Sequence, residues 1–228
     1  RLGFNDGHDG MQLVQLDLDH DVDPKVFDNV DLIVNCGTPN DQFNAGLVET
    51  ILTATRRSER LFKALQAHTR VSLIHISTAW VYGAGLTGHV DEQTPAGPNN
   101  KYGLSHLATE FVVREGAERL RINYLIIRPS HAFDNFIFQT INRPTMVPYC
   151  FVNAAFDQSQ IKLLSSGTQL RNFVVATDLA ERALAVLAEE NNLTINIGST
   201  VSMSIYDMAC LVAETFRNVT QRDCSVLR

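Results

Sequence analysis

A hydroxyl-bearing segment in the middle of the chain has the side chains needed to bind and polarise a substrate oxygen. Ser77 and Thr78 directly follow the apolar run VSLIHI at 71–76. In an open parallel sheet, ligands bind just beyond the carboxyl ends of the strands, where a hydroxyl can hydrogen-bond an alcohol or a carbonyl. A plain strand-to-loop turn would use the same residue types, because Ser and Thr are common in turns.

A second segment places a phenol and an imidazole at helical spacing. Tyr102 and His106 are four residues apart at the start of a predicted helix, so their side chains share one helix face. A phenol can take or return a proton, but its ordinary pKa of about 10 must be lowered by a neighbouring cation before it works near neutral pH. Taken singly, a packing tyrosine and a surface histidine are the better explanation of these two residues.

Around these segments, short apolar runs alternate with helical stretches. The predicted strands lie in 11–18, 30–36, 71–76 and 122–127, and the predicted helices in 43–67 and 100–118. This alternation is typical of βαβ units in a parallel sheet whose two faces are covered by helices.

After Pro129 the pattern is less regular. Short β-rich runs at 161–164 and 173–175 precede a predicted helix at 178–189, and NIGS at 196–199 ends another strand. Ser204 and Asp207 fit a capping box before a further helix at 205–216. We therefore expect a smaller lobe that is interleaved with the end of the sheet.

Composition excludes several classes of protein. The chain has 228 residues, of which 45% are hydrophobic, and it carries a net charge of −6, which argues against a nucleic-acid partner. No apolar run approaches the ~18 residues of a membrane span. The four cysteines form no CxxC pair, so we expect reduced thiols in a cytoplasmic protein rather than disulfides or a metal site.

Together, these segments resemble the extended short-chain dehydrogenase/reductase family, and in particular its NAD-dependent epimerases, dehydratases and reductases of nucleotide sugars. STAWVYG at 77–83 resembles the family's strand end, which finishes in Val-Tyr-Gly, and Tyr102 follows at the interval of its Tyr-x-x-x-Lys helix. Further resemblances occur in the family's order: DEQTP at 91–95, Glu110, Arg128-Pro129, MVP at 146–148, GTQLRNFV at 167–174 and NIGS at 196–199.

The resemblance implies an α/β, Rossmann-type fold, a doubly wound parallel sheet with a smaller interleaved substrate lobe. The dinucleotide-binding domain would occupy 1–129, and 130–228 would be a mixed region that holds the lobe and the last sheet elements. The family's Gly-rich phosphate loop is not present, since no strand precedes the glycines near the start of the chain. We therefore expect the sequence to be a fragment that lacks its first βαβ unit.

The resemblance also assigns roles by position. Tyr102 would be the acid/base, Thr78 would bind the same substrate oxygen, and His106 would stand in for the ribose-holding lysine. Residues expected to bind NAD or NADP are Asp17, Leu18, Cys36, Gly37, Thr38, Tyr102 and His106. The substrate, a nucleotide sugar or a related alcohol or ketone, would contact Thr78, His131 and Arg171. The family leaves room for a homodimer, and the oligomeric state stays open.

Two histidines depart from the family pattern. His106 replaces the lysine whose cation lowers the tyrosine pKa, and a histidine near its ordinary pKa of ~6.5 is mostly neutral above neutral pH. His131 stands where many relatives carry Asn, and it could contact substrate or simply fill the site. The alternative function is therefore a non-catalytic nucleotide-binding scaffold or sensor subunit that kept the fold and lost the catalytic lysine. The arginines at 56, 57 and 60 are expected on a solvated helix face.

Overall fold

A computed structural model of the chain describes residues 14–40, 43–68, 70–84, 88–134 and 146–228. Its strands are β1 (Leu32–Asn35), β2 (Ser72–Ile76), β3 (Asn123–Pro129), β4 (His131–Phe133), β5 (Gln160–Lys162), β6 (Leu170–Val175), β7 (Leu193–Ile197), β8 (Ser202–Ser204) and β9 (Ser225–Leu227). Its α-helices are α1 (Leu47–Ala64), α2 (Lys101–Leu120), α3 (Val147–Gln158), α4 (Ala176–Glu189) and α5 (Ile205–Thr220).

These elements form two compact units. We call the first the sheet unit; its described residues come from 14–130 and from Thr177–Gly198. The second, the small unit, comprises the described parts of His131–Ala176 and Ser199–Arg228. The chain thus leaves the sheet unit after β3, builds most of the small unit, returns for α4 and β7, and then leaves again.

A four-stranded parallel sheet forms the centre of the described part of the sheet unit, with the strand order β1-β2-β3-β7. Residues 124–129 of β3 are all buried, which is why this strand is a continuous apolar run rather than an alternating one. α1 and α2 pack over one face, where Phe62 and Val113 meet Leu73 and Ile126 in a single apolar cluster. This packing fixes both helices against the strands whose ends carry the candidate site residues.

The small unit has a different construction. β4 pairs with β6 in parallel and β8 pairs with β6 antiparallel, while β5 and β9 form a separate parallel pair. α3 and α5 enclose its apolar core with residues such as Phe151 and Phe216. The predicted capping box is confirmed: Ser204 caps α5, its hydroxyl accepting a hydrogen bond from the Asp207 amide at 3.0 Å.

The α/β class, the parallel sheet and the alternation of strands with α1 and α2 are confirmed. The predicted strand at 11–18 is wrong over residues 14–18, which are irregular, while 11–13 lie outside the described residues. A strand needs a neighbour to satisfy its backbone groups. β1 pairs only with β2 among the described strands, and residues 14–18 do not join its free edge.

None of the helices in the described ranges has the length and apolar character that crossing a membrane requires.

Candidate active site at the carboxyl edge of the sheet

Hydroxyl side chains follow three neighbouring strands of the sheet. Thr38 comes shortly after β1, Thr78 two residues after β2, and Ser130 directly after β3. Since the three strands are parallel and paired in register, these side chains lie along the same carboxyl edge. The sequence-predicted positions at 36–38 and 78 therefore share the edge at which open α/β sheets bind ligands.

The turn that begins at Thr78 and the start of the helix that carries Tyr102 are brought together by a close backbone contact. Thr78 begins a 3-10 turn over Ala79–Tyr82, and its hydroxyl accepts a hydrogen bond from the Trp80 amide at 3.3 Å. The first turn of α2 lies directly on this turn, and a Cβ added to Gly103 would be only 2.4 Å from the Trp80 carbonyl oxygen. The absent side chain at Gly103 thus lets the start of α2 pack closely against the turn that follows Thr78.

The start of α2 is held at its other side as well. Asn100 caps the helix, its side chain accepting a hydrogen bond from the Gly103 amide at 2.8 Å. Lys101 donates to the backbone carbonyls of Phe43 and Ala45, at 2.8 and 2.9 Å. The ammonium next to Tyr102 in sequence therefore binds the segment that leads into α1.

Tyr102 and His106 contact each other on one face of α2, as their spacing predicts. The two ring centroids are 4.5 Å apart with the rings nearly perpendicular. His106 is 5% exposed, and burial lowers its pKa from 6.5 to about 4. At neutral pH its imidazole is uncharged, so it can hydrogen-bond a ligand but supplies no cation beside Tyr102.

The Asp17–Leu18 pair lies in a turn that α1 holds in place. Leu18 is half-buried over Gly37, where an added Cβ would be 2.9 Å from Leu18 Cδ1. Asp17 is exposed; its carboxylate accepts the Asp19 amide and pairs with His20, and these hydrogen bonds lower its pKa. The turn and the 36–38 segment are thus adjacent, as the predicted cofactor site requires.

Two arginines expected on a solvated face bind this turn instead. Arg57 donates two hydrogen bonds to the Asp19 carboxylate, both at 2.7 Å, and a third to the Gly37 carbonyl at 3.4 Å. Arg60 donates to the Leu18 carbonyl at 3.0 Å. Sequence spacing could not reveal these contacts, because Asp19 and Arg57 are 38 residues apart and only the packing of α1 brings them together.

Beneath the edge lies a buried ion pair. Arg128, at the end of β3, donates to both oxygens of Glu110 on α2, at 3.0 and 2.7 Å. Glu110 also accepts a hydrogen bond from Ser77 at 2.5 Å. Burial opposes the charge of Arg128, but the bonds to Glu110 and the charge of that carboxylate outweigh it, so the pKa of Arg128 is raised. The pair ties α2 to the two strands on which the candidate site stands.

The hydrogen bonds of Arg128 extend from this ion pair to three sequence motifs. Arg128 donates to the Tyr82 hydroxyl at 2.9 Å, and that hydroxyl donates to Asn196 at 2.8 Å. The backbone amide of Asn196 donates in turn to Glu92 at 2.6 Å. VYG, DEQTP and NIGS are therefore linked through one set of hydrogen bonds around the ends of β2, β3 and β7.

Four buried side-chain polar atoms have no hydrogen-bond partner within the described ranges. They are Thr38 Oγ1 and Ser130 Oγ, which follow β1 and β3, His75 Nε2 within β2, and His106 Nδ1 on α2. Buried polar groups are normally paired, so the two hydroxyls that follow strand ends are candidate contacts of a polar ligand.

His131 and Arg171 lie together in the small unit. His131 is on β4 and pairs in register with Phe173 of β6. Its Nδ1 lies 3.2 Å from the Asn172 carbonyl, and burial together with the charge of Arg171 lowers its pKa. Arg171 is half-buried and donates to the Leu170 carbonyl at 2.9 Å. His131 also packs against the Phe173 ring. This contact is the one expected of a space-filling residue, and it leaves both sequence-based alternatives for His131 in place.

Comparison with known proteins finds relatives with several related activities. Over 137 residues the chain is 32% identical to dTDP-D-glucose 4,6-dehydratase of Mus musculus, an alignment that spans 60% of this chain and 37% of that protein. It is 23% identical over 192 residues to dTDP-4-dehydro-6-deoxy-D-allose reductase of Streptomyces bikiniensis, spanning 81% and 59%. The chain thus covers well under two thirds of these curated relatives.

The fold has the same kind of relatives. The structure of UDP-glucuronic acid 4-epimerase from Bacillus cereus in complex with NAD superimposes with a TM-score of 0.76 at 21% identity, covering 95% of this chain and 69% of that one. The sequence also matches the family model described as "NAD dependent epimerase/dehydratase family" over residues 4–198. Because that match includes most of the chain, this protein belongs to the NAD-dependent epimerase/dehydratase family.

Proposed function

We propose that this chain carries the catalytic edge of an NAD(P)-dependent enzyme that acts on a nucleotide sugar or a related alcohol or ketone. The observation that carries the proposal is the close approach of Gly103 to the Trp80 carbonyl, which packs the helix start that carries Tyr102 against the turn that begins at Thr78. A phenol on this helix start and a hydroxyl at the carboxyl end of a parallel strand suit proton transfer at a carbinol oxygen.

The residues present fit a dinucleotide. The unpaired Thr38 hydroxyl is a buried polar group that a polar ligand at this edge could approach. Asp17 and Leu18 would meet the adenine end, Cys36 and Gly37 would lie beneath the cofactor with Thr38, and Tyr102 and His106 would bind the ribose. When bound, the nicotinamide supplies a hydride acceptor or donor.

The chain's own side chains have distinct roles in this proposal. Tyr102 takes the hydroxyl proton of the substrate or returns it. Thr78 hydrogen-bonds the same oxygen and stabilises its developing charge. His106 holds the ribose as a neutral hydrogen-bonding group. In the small unit, Arg171 binds the diphosphate of the substrate, because a guanidinium fork matches phosphate oxygens. His131 contacts the substrate as well.

The type of reaction is open, because the relatives named above include a dehydratase, a reductase and an epimerase. Hydride could leave and return, as in epimerases and dehydratases, or transfer once, as in reductases. A specific observation also favours the second function, a nucleotide-binding scaffold: His106 is buried and neutral where the family has a cationic lysine.

One experiment separates the two functions. The full-length protein is incubated with NAD or NADP, its thermal stability is measured, and the conversion of a panel of nucleotide sugars is followed by proton NMR, because a hydride that leaves and returns yields no net reduced nicotinamide. We expect stabilisation by the cofactor through mass action and turnover of at least one nucleotide sugar. Stabilisation without turnover of any substrate would support the scaffold, and no stabilisation at millimolar cofactor would contradict both.

A further inference from the structure

Two buried side chains outside the assigned machinery lie on the sheet beside the helix that carries His106. Asn35 ends β1 and His75 lies in β2, and the two residues are register partners, so their side chains project from the same face of the sheet. His75 is completely buried and Asn35 is 6% exposed. Neither has a role in the proposed function.

The orientation of the Asn35 amide follows from its neighbours. The Gly37 backbone amide donates to Asn35 Oδ1 at 3.0 Å, and a backbone N–H can only donate. Asn35 Nδ2 therefore faces His75 Nδ1, at 3.2 Å, and donates to it. A neutral imidazole that accepts at Nδ1 carries its proton at Nε2, so this contact selects one tautomer of His75.

The two unpaired ring nitrogens that remain are complementary. His75 Nε2 is then a buried donor, and His106 Nδ1 is a buried nitrogen that can accept; neither has a partner among the described residues. The strand face and the helix face that carry the two rings meet, since Ser77, two residues after His75, donates to Glu110, one helical turn after His106. An unpaired buried donor and acceptor are each costly, and pairing them removes both costs.

We propose that Asn35 and His75 are positioning residues that set the tautomer of His106. The His75 Nε2–H group donates to His106 Nδ1 through one bound water, so His106 carries its proton at Nε2. A neutral imidazole fixed in this way presents a single N–H donor from the place where the family has a lysine. Its use toward a ribose hydroxyl rests on the proposed function, whereas the tautomer itself does not.

Nitrogen-15 NMR of histidine-labelled full-length protein tests this directly, because Nδ1 and Nε2 shifts report which nitrogen is protonated. We expect His75 and His106 both to be protonated at Nε2 only at neutral pH. Protonation of either ring at Nδ1 would overturn the proposal, and this measurement needs no variant beyond those used for resonance assignment.

Two substitutions of His75 sharpen the test. In His75→Phe the donor is lost while a ring is kept, and we expect His106 to shift toward a mixture of tautomers. In His75→Gln the amide nitrogen can take the place of Nε2 and should restore the single tautomer. If the shifts of His106 in folded His75→Phe equal those of the wild type, the proposal fails.

Calorimetry with NAD provides the functional arm. We expect His75→Phe to bind NAD about three- to tenfold more weakly, the scale of one hydrogen bond, and His75→Gln to bind as the wild type does. If His75 and His106 of the wild type are both protonated at Nε2 but the protein binds no dinucleotide, the proposed function is contradicted and the tautomer assignment is confirmed. A weaker affinity of His75→Phe without any change in His106 would overturn the positioning role.

Discussion

Glu110 and Arg128 form a two-pronged ion pair in which both residues are buried, the glutamate side chain being 1% exposed. The pair joins the middle of α2 to the end of β3, and Glu110 also holds Ser77, the residue before Thr78. The position of the candidate catalytic threonine thus depends on a buried charge pair beneath the carboxyl edge of the sheet.

Glu110→Gln tests this dependence. Removing one charge leaves Arg128 buried and uncompensated, which typically costs about 3–5 kcal/mol. We expect the free energy of unfolding, measured by urea denaturation, to fall by that amount. The matched control is Glu115→Gln on the same helix, whose exposed pair with Arg119 should contribute under ~1 kcal/mol. If the free energy of unfolding falls equally in the two variants, the buried pair stabilises the fold no more than the exposed pair does.

Gly103→Ala tests the close packing of the start of α2, which carries Tyr102, against the turn that begins at Thr78. The new methyl group would clash with the Trp80 carbonyl, so α2 must move away from the turn, at a cost of about 1–3 kcal/mol. We expect turnover to fall more than cofactor affinity does. Gly46→Ala is the control, since a Cβ there meets nothing within 4 Å. Wild-type turnover in Gly103→Ala would remove this contact from the site.

The pH dependence of stability should report the two buried histidines. Burial lowers the pKa of His75 to about 3 and that of His106 to about 4, from 6.5. Below pH 6.5 the unfolded chain therefore binds protons that the folded chain does not, and stability is lost as the pH falls toward 4. Each histidine contributes about 1.4 kcal/mol per pH unit, so the two together should remove roughly 4 kcal/mol between pH 6.5 and 5.

Urea unfolding at a series of pH values measures this loss. His106→Gln removes one of the two groups and should reduce the slope by about half of the histidine contribution. A slope in His106→Gln identical to that of the wild type would mean that His106 is not buried and neutral in the folded protein.

The features that could be predicted from the sequence are those that depend on residues close together in the chain. The strands and helices of the sheet unit follow from apolar runs and their spacing, and Tyr102 and His106 meet because four residues make one helical turn. The contact between Arg57 and Asp19 could not be predicted, because it depends on how α1 packs. The same holds for the hydrogen bond between Asn35 and His75, which needs the register of two strands.

Arg171→Ala tests the assignment in the small unit. Its guanidinium donates only to a neighbouring carbonyl among the hydrogen bonds described for it, and a charge-assisted bond to a diphosphate is worth about 1.5–3 kcal/mol. We expect nucleotide-sugar affinity, measured by calorimetry, to fall correspondingly, with NAD affinity unchanged. Arg171→Lys keeps the charge but loses the guanidinium fork. Its nucleotide-sugar affinity should lie between those of the wild type and Arg171→Ala. Unchanged affinity in Arg171→Ala would exclude it from the site.

Tyr102→Phe and His106→Lys together decide between an enzyme and a scaffold. If Tyr102 is the acid/base, removing its hydroxyl should lower turnover by at least ~100-fold, while the lost hydrogen bond to the ribose should weaken NAD binding only about three- to tenfold. His106→Lys supplies the cation that the buried, neutral imidazole does not. It should move the rise of activity to lower pH by up to about two units, since a cation ~5 Å away at an effective dielectric of ~20 contributes about 3 kcal/mol.

The measurement is a pH–rate profile of wild type and both variants on a nucleotide sugar that turns over, with Tyr206→Phe in the small unit as the control for loss of a phenol. Wild-type rates in Tyr102→Phe would rule out the proposed acid/base. An unshifted profile in a folded His106→Lys that still binds NAD would mean that a cation at this position does not control proton transfer. Gain of turnover in His106→Lys from a wild type that binds NAD but is inactive would establish the scaffold function, because the lysine alone would then separate this chain from an active enzyme.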